Sequence, residues 1–160
     1  MSSIVVVDTS IAIKWVISED DSSTAAALLA SWIHEDVFIL APPLLAYELT
    51  NVLYQRLRKG SITLDEVESG LRSILLDMLE LDTSQDVALN MRATRLAHQF
   101  SLPASYDAHY LALAERKNCE FWTADARLLK AVRDKLPWVR TLADYRTGDK
   151  QQTEGKDETL

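Results

Sequence analysis

Residues Ile4-Val5-Val6-Val7 form an unbroken apolar, β-branched run, and the next residue is an acid, Asp8. A strand that is apolar at every position has no face for solvent. It must be covered on both sides, as a central strand of a parallel sheet is. Parallel neighbours need long, usually helical crossovers, and the rest of the sequence has that rhythm. Short apolar runs at 37–40, 120–123 and 139–142 read as further strands. Between them, Thr9 or Ser10 can cap a short helix through Ile17, and a polar break at 18–23 precedes an Ala/Leu-rich helix over 24–34. Pro42-Pro43 suits the opening turn of a helix that runs to Lys59 and stops at Gly60. Thr63 and Glu66 have capping-box spacing, which predicts a helix over 64–79. Thr83 or Ser84 starts another that ends near Phe100, Ser105 precedes one over 106–117, and a last one covers 126–135. The expected class is α/β, in three α/β/α layers around a short parallel sheet, with a helical pair inserted after the second strand.

The expected organisation is one domain over residues 1–146 and a polar tail over 147–160, read as disordered because it lacks large apolar residues before Leu160. Charged residues interrupt every long apolar stretch, so no membrane span is expected, and no basic segment precedes the first apolar run. These features predict a cytoplasmic protein. The single Cys119 excludes an internal disulfide and a cysteine-based zinc site. A net charge of −7 argues against coating nucleic acid by bulk charge. A local basic strip could still hold a phosphate. Arg56, Arg58 and Lys59, or Arg92 and Arg95, could supply it, although each also reads as a solvated helix face.

Four acids stand where packing alone would prefer something apolar. Asp8 ends the first strand, and Asp125 follows Phe121-Trp122-Thr123-Ala124. Both fall at the carboxyl ends of expected parallel strands, where such sheets bind ligands. Each could instead cap the following helix. Glu48 interrupts a stripe of Leu44, Leu45, Leu49, Val52 and Leu53, and positions 44, 48 and 52 lie one above another on a helix. Asp107 opens the stripe of Tyr110, Leu111 and Ala114, and it could simply favour its helix N-terminus. A carboxylate in an apolar surround loses hydration without compensation. Gathered by the fold, the four would repel one another and call for a cation.

Other chemistries find less support. No G-x-S-x-G elbow accompanies His34, His98 or His109, which read as surface or packing residues. There is no G-x-x-x-x-G-K motif, and four glycines leave little for a phosphate-cradling loop. Asp8-Thr9-Ser10 lacks the second acid of a D-x-D phosphatase, and no acidic pair precedes Asp8 as in phosphoacceptor receivers. Trp15, Trp32, Trp122 and Trp138 read as packing residues rather than a base-stacking platform.

Val6-Val7-Asp8-Thr9-Ser10, Tyr47-Glu48, the stretch from Ser105-Tyr106-Asp107-Ala108-His109 to Tyr110-Leu111-Ala112-Leu113-Ala114, and Trp122-Thr123-Ala124-Asp125 occur in that order. This pattern resembles the PIN-domain ribonucleases, and most closely the VapC toxins of bacterial toxin–antitoxin pairs, over residues 4 to 142. The resemblance implies a PIN-like fold and an acidic pocket of Asp8, Glu48, Asp107 and Asp125, supported by a hydroxyl from Ser10 or Thr123. It also implies Mg²⁺ or Mn²⁺, an RNA substrate, a homodimer and an inhibitory antitoxin. Asn118-Cys119 departs from the glycine turn common in such chains. Carboxylate oxygens suit hard Mg²⁺, and a water made more acidic by the ion could attack a phosphodiester in line. Asp8, Asp107 and Asp125 are the first-choice ligands; Glu48 could bind a second ion or orient the water. A binding-only PIN-like domain and a housekeeping RNA-processing nuclease are the alternatives.

Overall fold

In the computed structural model, which describes residues 3–146, five parallel strands form one sheet in the order β3-β2-β1-β4-β5. The strands are β1 (Ile4–Val7), β2 (Phe38–Ala41), β3 (Glu80–Leu81), β4 (Glu120–Trp122) and β5 (Val139–Arg140). The helices are α1 (Thr9–Ala12), α2 (Ser22–His34), α3 (Leu44–Arg58), α4 (Leu64–Arg72), α5 (Val87–Gln99), α6 (Tyr106–Lys117) and α7 (Ala126–Val132). A 3₁₀ turn, Ile13–Trp15, follows α1, and a π-helical segment, Ser73–Met78, follows α4. The expected α/β architecture is therefore present. The polar tail at 147–160 lies outside the described residues.

β1 is the central strand, as its composition requires: Val5, Val6 and Val7 are buried. Val6 pairs with Leu40 on one side and Phe121 on the other. The chain builds outward from β1 through β2 to β3, then returns to add β4 and β5 on the opposite side. The strand order therefore reverses between β1 and β4, and their carboxyl ends open the crevice in which such sheets take ligands.

The expected helix signals largely work as read. Thr63 and Glu66 form the full capping box of α4. After α3, Gly60 has φ +74°, its amide donates to the Leu57 carbonyl, and Ser61 donates to that of Arg56. This Schellman closure needs a left-handed residue, and glycine supplies it without a Cβ clash. Asn118 plays the same part after α6 at φ 50°. The departure from a glycine turn is thus absorbed by the non-glycine residue that tolerates this region well. Gly70 lets α4 come close: a Cβ there would sit 3.4 Å from Val16 and 3.7 Å from Leu53 of α3.

Four details differ from the sequence reading. Asp8 itself caps the first helix, which is α-helical only to Ala12. The helix expected over 64–79 is α only to Arg72 and then widens into the π-helical segment. β3 was not expected; a two-residue edge strand carries too little pattern to show in sequence. The next helix is capped by Asp86, whose carboxylate accepts from Leu89 N at 2.8 Å, instead of Thr83 or Ser84. Asp82 ends β3 and is buried, but it is bonded to Ser84 and pairs with Lys117 at 3.4 Å. Its charge is locally compensated.

Candidate active site

The crevice beyond β1 and β4 is built around Asp8, which is buried because the strand before it is. Ser10 Oγ donates to Asp8 Oδ1 and Thr123 Oγ1 donates to Asp8 Oδ2, each at 2.5 Å. Both expected supporting hydroxyls are thus engaged. Ser10 Oγ accepts in turn from Ala124 N at 2.7 Å, and Thr123 Oγ1 accepts from Asp125 N at 3.1 Å. These bonds join the loop after β1 to the loop after β4 and fix the orientation of the Asp8 carboxylate. Burial nonetheless pushes the Asp8 pKa up to about 7, against the hydroxyl bonds that favour the charged form, and the Asp107 charge adds to the rise.

Asp125 is the N-cap of α7, accepting from Arg127 N at 2.9 Å and Leu128 N at 3.2 Å. The capping role considered from sequence is therefore real. Both capping bonds fall on Oδ1, so neither engages Oδ2. Asp107 lies in the first turn of α6, half-buried. Its pKa is raised by burial and then by the charge of Asp125. Glu48, on α3, is raised by burial and by the charge of Asp107. Asp107 thus couples electrostatically to the other three acids.

Tyr110 was placed by sequence on the apolar stripe of α6. Its ring does pack there, stacked on Phe121 with centroids 5.8 Å apart. Its hydroxyl, however, donates to Glu48 Oε1, bridging α6 to α3. Burial and the Glu48 charge raise the Tyr110 pKa, so the phenol remains a donor. Tyr110 is one helical turn after Asp107 and therefore on the same face. That spacing was the available signal for a polar role.

Two arginines of the candidate basic strips are already paired with acids. Arg56 is paired with Glu19, and Arg92 is held by both oxygens of Glu115 at 2.7 and 2.8 Å. Arg58 donates to Gln55 at 3.2 Å. His34 and His98 are exposed on helix ends, as expected of surface residues. Trp32 and Trp122 pack edge to face at 5.6 Å, and Trp15 donates to the Ala25 carbonyl. They are packing residues.

Could these acids hold a divalent cation? Among the described residues, no three carboxylate, imidazole or thiol side chains form a ready-made cage. Mg²⁺ does not require one. It keeps several waters and commonly takes one or two carboxylates. The donors here are all oxygen, and burial and neighbouring acid charge raise the pKa of Asp8, Glu48 and Asp107, so a cation would relieve the arrangement. The residues fit a hydrated hard ion. Among the described residues, no helix is long and apolar enough to cross a membrane.

Comparison with known proteins accords with this geometry. The family model of the PIN domain matches residues 5–135. Similar solved structures include PAE2754 from Pyrobaculum aerophilum, 23% identical, covering 89% of this chain and 86% of that one at a TM-score of 0.63. VapC20 of Mycobacterium tuberculosis, described as a sarcin-ricin loop cleaving toxin, is 15% identical over 80% of this chain and 95% of its own, at 0.57. VapBC2 from Rickettsia felis, bound to a DNA fragment from their promoter, is 17% identical over 86% and 96%, at 0.58. At these identities the likeness concerns the fold. No curated protein matches in sequence.

Proposed function

The chain belongs to the PIN-domain family, and from that premise we propose that it is a divalent-metal-dependent endoribonuclease acting as the toxin of a toxin–antitoxin pair. The observation that carries the reading is the electrostatic cluster centred on Asp107, at the switch point of the sheet. Burial and neighbouring charge raise the proton affinity of Asp8, Glu48 and Asp107, which is unfavourable for stability, and a phosphodiesterase centre gives that arrangement a use. RNA as substrate, an antitoxin as partner, a homodimer and a cytoplasmic location complete the proposal. They are supported by the sequence pattern and by fold relatives that include an RNA-cleaving toxin and a toxin–antitoxin complex.

Asp8, Asp107 and Asp125 would hold Mg²⁺, or Mn²⁺ in its place, directly or through water. When bound, the cation supplies an acidified water for attack and neutralises charge on the phosphoryl oxygens. The chain supplies orientation. Ser10 and Thr123 stop the Asp8 carboxylate from rotating. Asp125 is fixed by its capping bonds. Tyr110 holds Glu48, whose raised proton affinity suits it to orient the attacking water and accept its proton. The expected products carry a 5′-phosphate and a 3′-hydroxyl.

The test is cleavage of a total RNA pool by protein freed of partner, with Mg²⁺ or Mn²⁺, with chelator, and with Asp107→Asn, mapping the new 5′ ends. Discrete metal-dependent cuts, absent in the variant, are expected. Equal cleavage by folded Asp107→Asn would overturn the assignment.

A further inference from the structure

Beside the acids runs a second, mainly apolar feature. Pro42, Pro43 and Leu44 at the start of α3, Tyr47 on α3, Gln85 before α5, and Tyr106 and His109 on α6 line a groove of about 420 Å³. That volume lies in the ~300–1,000 Å³ range of small-molecule sites. Tyr47 is 76% exposed and Tyr106 62%. Two large aromatic side chains are therefore left in water on one groove. Each is the chain neighbour of a site acid: Tyr47 precedes Glu48, and Tyr106 precedes Asp107. Between them sits an incomplete polar group. Gln85 Nε2 is buried and has no hydrogen-bond partner. An orphaned amide of this kind is unfavourable unless something completes it.

Resting on the nuclease reading above, we infer that this groove receives one unpaired nucleobase of the RNA strand, the base adjoining the phosphodiester held at the acids. Aromatic faces stack any base, and stacking of unpaired bases on aromatic side chains is one of the two elements by which single strands are gripped. Gln85 Nε2 has no exposed surface, so on binding the side chain turns towards the groove to donate to an acceptor on the base edge, a carbonyl oxygen or ring nitrogen. The tyrosines therefore supply affinity and Gln85 supplies discrimination. Tyr47 and Tyr106 sit on the same helical turns as Glu48 and Asp107, but consecutive helical side chains do not share a face, so the groove occupies the neighbouring face of α3 and α6 and the strand runs from it to the acids. The groove thus sets which bond is presented for cleavage.

The test separates this inference from the nuclease assignment. Asp107→Asn protein is photocrosslinked to single-stranded oligoribonucleotides carrying 4-thiouridine at each position in turn, and adducts are mapped by mass spectrometry. Adducts at Tyr47, Tyr106 or the 103–109 segment are expected. Tyr47→Ala and Tyr106→Ala, in the Asp107→Asn background, should weaken oligonucleotide binding roughly 5- to 100-fold, the range for loss of a stacking partner. Tyr54→Ala, another exposed tyrosine of α3, should leave it unchanged. In the active enzyme, Gln85→Ala should flatten the base preference flanking the cut while cleavage persists. Cleavage by wild type with adducts only outside the groove would overturn the subsite and leave the nuclease standing. Adducts in the groove without cleavage would keep the subsite and remove the nuclease. Unchanged binding, with Tyr47→Ala and Tyr106→Ala turning a dimer into monomers by sedimentation, would assign the groove to a second copy of this chain instead.

Discussion

Asp8 is expected to oppose folding in metal-free protein, and Asp8→Asn to relieve that opposition. In the folded chain Asp8 keeps its proton to about pH 7; its ordinary value is 3.8. Between those values the folded state binds more protons than the unfolded, so stability falls as pH rises, and the loss is complete above pH 7. The full difference corresponds to roughly 4 kcal/mol, about 3 of which should appear between pH 5 and pH 8. Asparagine removes the charge but offers one acceptor where Asp8 uses two oxygens, for Ser10 and Thr123. The lost bond costs ~1 kcal/mol. At pH 8 in chelator the variant should therefore gain roughly 3 kcal/mol, a urea midpoint shift of about 1 M or more. Urea titrations followed by circular dichroism at pH 5, 6, 7 and 8 measure this. Wild type should lose midpoint steadily across the series and the variant should lose far less. Adding Mg²⁺ at pH 8 should stabilise wild type more than the variant. Parallel pH profiles for the two proteins, or a variant less stable at pH 8, would refute the reasoning.

Three further outcomes test other parts of the site. Tyr110→Phe keeps the ring against Phe121 and removes only the bond to Glu48; turnover should fall about tenfold, consistent with ~1.5 kcal/mol for a bond to a charged group, while Tm moves little. Asp125→Asn should keep the α7 cap, since asparagine caps as well as aspartate, but lose cleavage; Asp125→Ala should also cost ~1 kcal/mol in thermal unfolding. Thr63→Ala breaks the α4 capping box and should cost ~1 kcal/mol with no change in cleavage rate, because the box bonds only within the first turn of α4.

What could be seen in the sequence followed the strength of local signals. The β-branched run at Ile4–Val7 and the capping boxes and helix stops at Thr63 and Gly60 each depend on neighbours a few residues away, and they stand in the structure as expected. β3 does not, because Glu80-Leu81 becomes a strand only by pairing with Leu40-Ala41. The widening after Arg72 has no local mark either. In the site, the four acids were visible as misfits in apolar surroundings. The polar role of Tyr110 was hidden, because a tyrosine on a buried stripe satisfies the apolar pattern with its ring whatever its hydroxyl does. The groove at Tyr47, Gln85 and Tyr106 was hidden for another reason. It joins three segments far apart in the chain, and exposure is a property of the assembled surface. Two arginines of the candidate basic strips show the same limit. Arg56 and Arg92 looked available because their acidic partners, Glu19 and Glu115, are distant in sequence.

The central claim is that Asp8, Glu48, Asp107 and Asp125 form one divalent-metal centre. Mn²⁺ titration of purified protein, followed by electron paramagnetic resonance of the free ion at pH 7.5 and with Mg²⁺ as competitor, tests it without needing a substrate. Saturable binding that Mg²⁺ displaces and that Asp107→Asn abolishes or greatly weakens is expected. Wild-type protein that leaves the free Mn²⁺ signal unchanged, or an Asp107→Asn variant that binds equally well, would contradict it.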